Sequence, residues 1–145
     1  MQDTVTGLDL ASPMELGAAR RTALEQPVDD SYKGEAVKAA HYLACARQAE
    51  REGFPEIGCA LARIAEQELE HAARFAELNA RVDDSTQANL ARLLKETQAS
   101  CSHQAGLARR AEEERLAQVC DCYAEASREE ARSAQIIDGL LRRYF

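Results

Sequence analysis

The chain has 145 residues, 46% hydrophobic and 30% charged, enough apolar material for one packed domain and too much for wholesale disorder. Its 18 basic and 25 acidic side chains leave a formal charge of −7, and no Lys/Arg stripe stands out, which argues against a nucleic-acid surface. No apolar run approaches the roughly 20 residues that cross a bilayer, and Met1–Leu10 carry two aspartates and no basic residue, unlike a secretory signal, so a cytoplasmic protein without membrane contact is expected.

Alanine occurs 28 times against 14 for Val, Ile and Thr together, a composition that predicts an all-α chain. Residues 1–12 read as loose. Ser12-Pro13-Met14-Glu15 reads as the start of a short helix, with Ser as cap, Pro in the first position and Glu three after the cap; it should stop before Pro27. Asp30 or Ser31 can cap a second helix to about Glu52. Gly53 ends it, and Pro55 opens a third that continues to about Asn79. Asp83-Asp84-Ser85-Thr86 caps a fourth, to about Glu114. A fifth runs from Arg115 or Leu116 to Arg143, with no Gly or Pro to mark its start. The domain division expected is 1–30 for the N-terminal segment and 31–145 for the main helical domain.

Each of the four long helices carries a stripe at alternating spacings of three and four. The stripes are Val28, Tyr32, Glu35, Ala39, Tyr42, Ala46 and Ala49; then Ile57, Leu61, Ile64, Glu68, His71, Phe75 and Leu78; then Leu90, Leu94, Thr97, Cys101, Gln104, Ala108 and Ala111; then Val119, Tyr123, Ala126, Glu130, Ser133, Ile137 and Leu140. Four such stripes predict a four-helix bundle, with the short first helix packed outside it.

Charges interrupt those stripes. Glu35, Glu68, His71 and Glu130 stand where apolar residues belong, and uncompensated carboxylates in a core cost several kcal/mol. A cation is the simplest compensation. Carboxylate and neutral imidazole suit divalent iron, manganese or zinc, and Glu68 and His71 share a helix face at i, i+3. The competing reading of these residues is a polar core that is protonated or water-filled. The five cysteines, Cys45, Cys59, Cys101, Cys120 and Cys122, form no CxxC pair and read as free thiols of a reducing compartment.

The two halves match at an offset of 62 residues. Arg47 pairs with Arg109, Ala49 with Ala111, Glu50 with Glu112, Glu52 with Glu114, Glu68 with Glu130, Ala72 with Ala134 and Leu78 with Leu140. This pattern predicts a duplicated helical hairpin, each copy supplying half of a site.

The stretches Gly34-Glu35, Ala49-Glu50-Arg51-Glu52-Gly53-Phe54-Pro55-Glu56-Ile57 and Ala65-Glu66-Gln67-Glu68-Leu69-Glu70-His71-Ala72 resemble rubrerythrin, of the ferritin-like superfamily, and the resemblance extends over about 33–143. Glu129-Glu130-Ala131-Arg132 and the closing Leu140-Leu141-Arg142-Arg143-Tyr144-Phe145 resemble its short relatives that lack a rubredoxin domain. The resemblance implies a ferritin-like four-helix bundle with a carboxylate-bridged di-iron site that reduces hydrogen peroxide or oxygen. It implies Glu35, Glu68 and His71 as first-half ligands and Tyr42 as a tyrosine beside the metals. In the second half Glu130 remains, but the expected histidine is Ser133, the expected Glu is Thr97, and a carboxylate one turn later would fall at Ser100. Glu96, adjacent to Thr97, would be a ligand only after a one-residue shift of register, which the stripe opposes.

Three carboxylates and one histidine are enough for one metal and thin for two. Two functional expectations follow: a rubrerythrin-like protein of oxidoreductase ancestry holding one or two iron ions, or manganese or zinc, and a metal-free bundle acting as a structural or interaction module. Without CxxC pairs, redox activity would need a separate electron donor. If the third helix runs to Asn79, the loop to Ser85 spans at most about 20 Å, against a crossover of roughly 30 Å in a ferritin-like monomer. Either that helix ends early or two chains exchange hairpins, and a hairpin-swapped homodimer is the expectation.

Overall fold

The computed structural model describes Leu10 and residues 13–145. Four long helices make up the chain: α1, Glu25–Arg51; α2, Pro55–Leu78; α3, Thr86–Glu113; and α4, Ala117–Tyr144. No strand occurs among the described residues, so the chain is all-α as its composition predicts. No helix among them is long and apolar enough to cross a membrane. Helix α1 pairs with α2, and α3 with α4, in two hairpins that form separate compact units, the chain dividing between Val82 and Asp83.

The short N-terminal helix does not form. Ser12 lies outside the described residues, and residues 16–24 make turns, with Gly17 at φ 78° and Arg21 at φ 61° both left-handed. The cause is a competing set of acceptors. Gly17 N–H donates to Glu77 O at 2.8 Å and Ala19 N–H to Leu78 O at 2.9 Å, so this segment satisfies carbonyls that the end of α2 leaves without helical partners. Pro27 likewise fails to break the chain: α1 starts at Glu25, not Asp30 or Ser31, and Pro27 is its third residue. An amide in the first turn has no acceptor in its own helix, so proline is tolerated there. The Asn79 side-chain amide donates to Glu25 O at 2.8 Å, and Arg81 pairs with Asp29, which fastens the end of α2 to the start of α1.

Three helix ends share one device. At the end of α1, Gly53 takes φ 83°, its N–H donating to Glu50 O at 3.1 Å and that of Phe54 to Ala49 O at 2.9 Å. That is the Schellman arrangement, in which a left-handed residue turns two amides back onto the last carbonyls. Exactly 62 residues on, Arg115 does the same at φ 58°, with Leu116 N–H donating to Ala111 O at 2.8 Å. This turn is the unmarked boundary between α3 and α4, built without glycine. Ala80, at φ 51°, ends α2 in the same way, with Arg81 N–H donating to Ala76 O at 2.9 Å. Ser85 caps α3 as expected, its hydroxyl accepting from Ala88 N–H at 3.2 Å.

Small residues line the hairpin interiors. Ala39, Ala46 and Ala49 of α1 are buried with Gly58, Ala65 and Ala72 of α2, and Ala108 and Ala111 are buried on α3. On α2 the buried line therefore runs one position beyond the expected stripe of Ile57, Ile64 and His71. Small side chains let the helix backbones approach: a Cβ on Gly58 would lie 3.2 Å from Ala46 O and 2.8 Å from Glu50 Oε1. Larger apolar groups, among them Val37, Leu43 and Leu69, stay exposed.

Candidate metal centre

Helix α1 presents Glu35 and α2 presents Glu68 and His71, the latter two on one face at i, i+3. One ligand atom from each lies within 4.8 Å of the other two. His71 Nδ1 is 3.8 Å from Glu35 Oε2 and 3.7 Å from Glu68 Oε2. The carboxylate side chains are 20% and 13% exposed and the imidazole 56%, so the acids form the floor of the cluster and the histidine its outer edge.

The same two oxygens, Glu35 Oε2 and Glu68 Oε2, are shut off from solvent and take no aligned hydrogen bond. A carboxylate oxygen buried in this way needs a positive charge beside it, whether an ammonium or a metal ion. Two carboxylates and an imidazole are the donor set that divalent iron, manganese and zinc accept, so these residues fit such an ion.

A fourth residue belongs to this group. Lys38 Nζ lies 3.0 Å from Glu35 Oε2 and 3.2 Å from Glu68 Oε2. The interrupted stripe does not single out Lys38, because lysine usually marks a solvated face. The signal was its place three residues after Glu35, on the same side of α1. Tyr42, two turns after Glu35 on α1, is half-buried.

The second hairpin carries the corresponding positions differently. Glu130 of α4 is half-buried and its Oε1 accepts from the Ser100 hydroxyl at 3.2 Å. Thr97 is half-buried on α3 and Ser133 is exposed on α4. Glu96 points to solvent, 63% exposed, at 3.9 Å from Arg92. The helix register therefore turns Thr97 inward and Glu96 outward. At the 62-residue offset, Ser100 stands where Lys38 does, and each addresses the equivalent glutamate, Glu130 or Glu68.

Residues 28–105 match the rubrerythrin family. An uncharacterised protein of Methanocaldococcus jannaschii is 38% identical over 138 residues, covering 95% of this chain and 98% of that one. Reverse rubrerythrin-1 of Clostridium acetobutylicum is 39% identical over 116 residues, 79% of this chain; the match spans 64% of that protein's length. No solved structure matches the chain significantly. With more than half of its length matched, including Glu35, Glu68 and His71, this all-α, ferritin-like chain belongs to the rubrerythrin family.

Proposed function

We propose that this protein binds iron, or manganese or zinc, as a rubrerythrin-like metal-binding protein of peroxide- or oxygen-reducing oxidoreductase ancestry whose site is incomplete in its second half. Glu35 and Glu68 are carboxylate ligands, His71 is a terminal ligand, Glu130 a bridging or terminal one, and Tyr42 a hydrogen-bond donor beside them. The observation that carries this reading is the approach of three donors, from Glu35, Glu68 and His71, to within 4.8 Å of one another, with a carboxylate oxygen of each glutamate shut off from solvent. Iron that moves between ferrous and ferric supplies electrons to an oxygen–oxygen bond, and a pair of ions supplies two at once. The chain's own part would be to hold the metal between Glu35 of α1 and Glu68 and His71 of α2. Its five cysteines are free and none stands in a CxxC pair, so electrons come from a separate donor, in a reducing, cytoplasmic setting.

The test is anaerobic loading with Fe(II) followed by metal analysis. About one equivalent or more should be retained by the wild type and lost by Glu68→Ala. Retention below about a tenth of an equivalent in the wild type rejects the reading.

One observation favours a second reading, a metal-free structural or interaction module. Thr97 and Ser133 supply no ligands, and the Lys38 ammonium already compensates part of the charge on Glu35 and Glu68. That reading requires a melting temperature unmoved by Fe(II), Mn(II) or Zn(II); a rise of several degrees rejects it.

The association proposed is a hairpin-swapped homodimer. Helix α2 does not end early, since it runs to Leu78, and Arg81 is held back against Asp29, which shortens the free linker before Thr86. Too little chain remains to run the length of a helix. A monomeric mass in light scattering rejects the dimer.

A further inference from the structure

Two cationic or cation-seeking groups converge on one pair of oxygens. The Lys38 ammonium is 3.0 and 3.2 Å from Glu35 Oε2 and Glu68 Oε2, while His71 Nδ1 is 3.8 and 3.7 Å from the same two atoms. The ammonium thus stands at the place from which both carboxylates can be reached at once. At those distances it compensates the charge of both oxygens at once. Its side chain is 51% exposed, and its four-carbon stem can carry the charge out into water.

We infer that Lys38 is a tethered counter-ion that occupies the Glu35–Glu68 carboxylate pair in the metal-free protein and competes with the incoming metal for it. This rests on the metal-binding reading above. In the metal-free protein the lysine offsets repulsion between two glutamates that α1 and α2 hold side by side. A divalent cation takes over that role with twice the charge, and the displaced ammonium is released to solvent. The consequence is a lowered metal affinity: more free ion is needed to half-fill the site, by a constant factor, and the lysine holds the carboxylate pair together while the site is empty. Position 100, the counterpart of Lys38 in the second hairpin, holds a neutral serine against Glu130. The competing charge is therefore a property of the first half alone.

The experiment uses metal-free full-length protein and Mn(II) as the probe, with affinity read by calorimetry and thermal unfolding recorded before and after loading. Four variants are compared with the wild type: Lys38→Met, Lys38→Arg, Lys33→Met and Glu68→Gln. Lys33 is the control for general loss of a positive charge, because it sits on the same helix but pairs with Asp29 at 2.7 Å. Lys38→Met should bind Mn(II) about tenfold more tightly, the order expected when two half-exposed ion pairs no longer have to be broken. Its metal-free form should melt several degrees lower, and loading should return it to the wild-type melting temperature. Lys38→Arg and Lys33→Met should bind within about twofold of the wild type.

An unchanged or weakened affinity in Lys38→Met, with Glu68-dependent binding intact in the wild type, overturns the role of Lys38 and leaves the metal site standing. An equal gain in Lys33→Met also overturns it. Absence of Mn(II) binding in both the wild type and Lys38→Met removes the site and the competition together. Binding gained only in Lys38→Met supports both.

Discussion

The Ser100 hydroxyl donates across the second hairpin to Glu130 Oε1 at 3.2 Å, at the two positions where the first hairpin joins Lys38 to Glu68 at the same distance. At this 62-residue offset both halves thus carry a half-buried glutamate, with an ammonium as its partner in one and a hydroxyl in the other. Glu130 depends on that hydroxyl for one of its hydrogen bonds. Ser100→Ala should therefore destabilise the protein by about 1 kcal/mol, the usual net worth of an intramolecular hydrogen bond. Urea unfolding would measure it. The double variant Ser100→Ala, Glu130→Gln should recover part of the loss, because the unpaired charge is then gone.

The sequence made the helices legible because alanine content, apolar spacing and the caps at Pro55 and Ser85 all agree. Glu35, Glu68 and His71 were legible for a related reason: charge at an apolar position of a regular stripe is conspicuous. What stayed hidden involves contacts between distant segments or backbone states that side chains do not announce. Gly17 and Ala19 donate to Glu77 and Leu78, some 60 residues away, and that exchange, absent from any local window, dissolves the expected N-terminal helix. Lys38 was only half visible: its spacing from Glu35 on α1 could be read locally, but its second partner, Glu68, lies on another helix. The boundary near Arg115 was expected, but its left-handed backbone was hidden, because arginine rarely takes that conformation, whereas Gly53 at the equivalent position advertises it.

That contrast between Gly53 and Arg115 carries a prediction. Arg115 and Ala80 hold φ values of 58° and 51°, a region that costs a residue with a Cβ on the order of 1 kcal/mol. Arg115→Gly and Ala80→Gly should each stabilise the chain by about 0.5–1 kcal/mol, since both turns already make the hydrogen bonds that glycine would support. Thermal unfolding of the single and double variants should show additive gains, the two sites being in separate hairpins.

The close approach of α1 and α2 at Gly58 predicts the opposite sign for a larger residue. A Cβ there meets the Ala46 carbonyl at 3.2 Å, and backbone cannot rotate aside as the Glu50 carboxylate can. Gly58→Val should destabilise by about 2 kcal/mol through overpacking. Gly139, on α4, is the comparison: nothing lies within 4 Å of a Cβ built on it. Gly139→Ala should stabilise by about 0.5–1 kcal/mol, the helix-propensity difference alone. A Gly58→Val protein that unfolds at the wild-type urea concentration would mean that the helices are not held this close.

Acid should loosen the first hairpin at Asp29. Lys33 and Arg81 both bond its carboxylate and hold its pKa below the ordinary value of 3.8, the Lys33 contact contributing most. A carboxyl group with a lower pKa folded than unfolded stabilises the fold above its unfolded value, and that contribution is lost as pH falls through the folded one. Asp29→Asn should therefore be less stable than the wild type at pH 6–7. The gap should narrow below about pH 4 and vanish once the wild-type carboxylate is protonated in both states. Parallel urea titrations from pH 7 to pH 2.5 would show the two curves converging on the acid side. Because Arg81 also fastens the end of α2 to α1 through this carboxylate, hydrogen exchange at Ala80 and Arg81 should quicken in Asp29→Asn at neutral pH, and in the wild type only in acid. Curves that stay parallel across the range would show that the Asp29 contacts contribute nothing to folding.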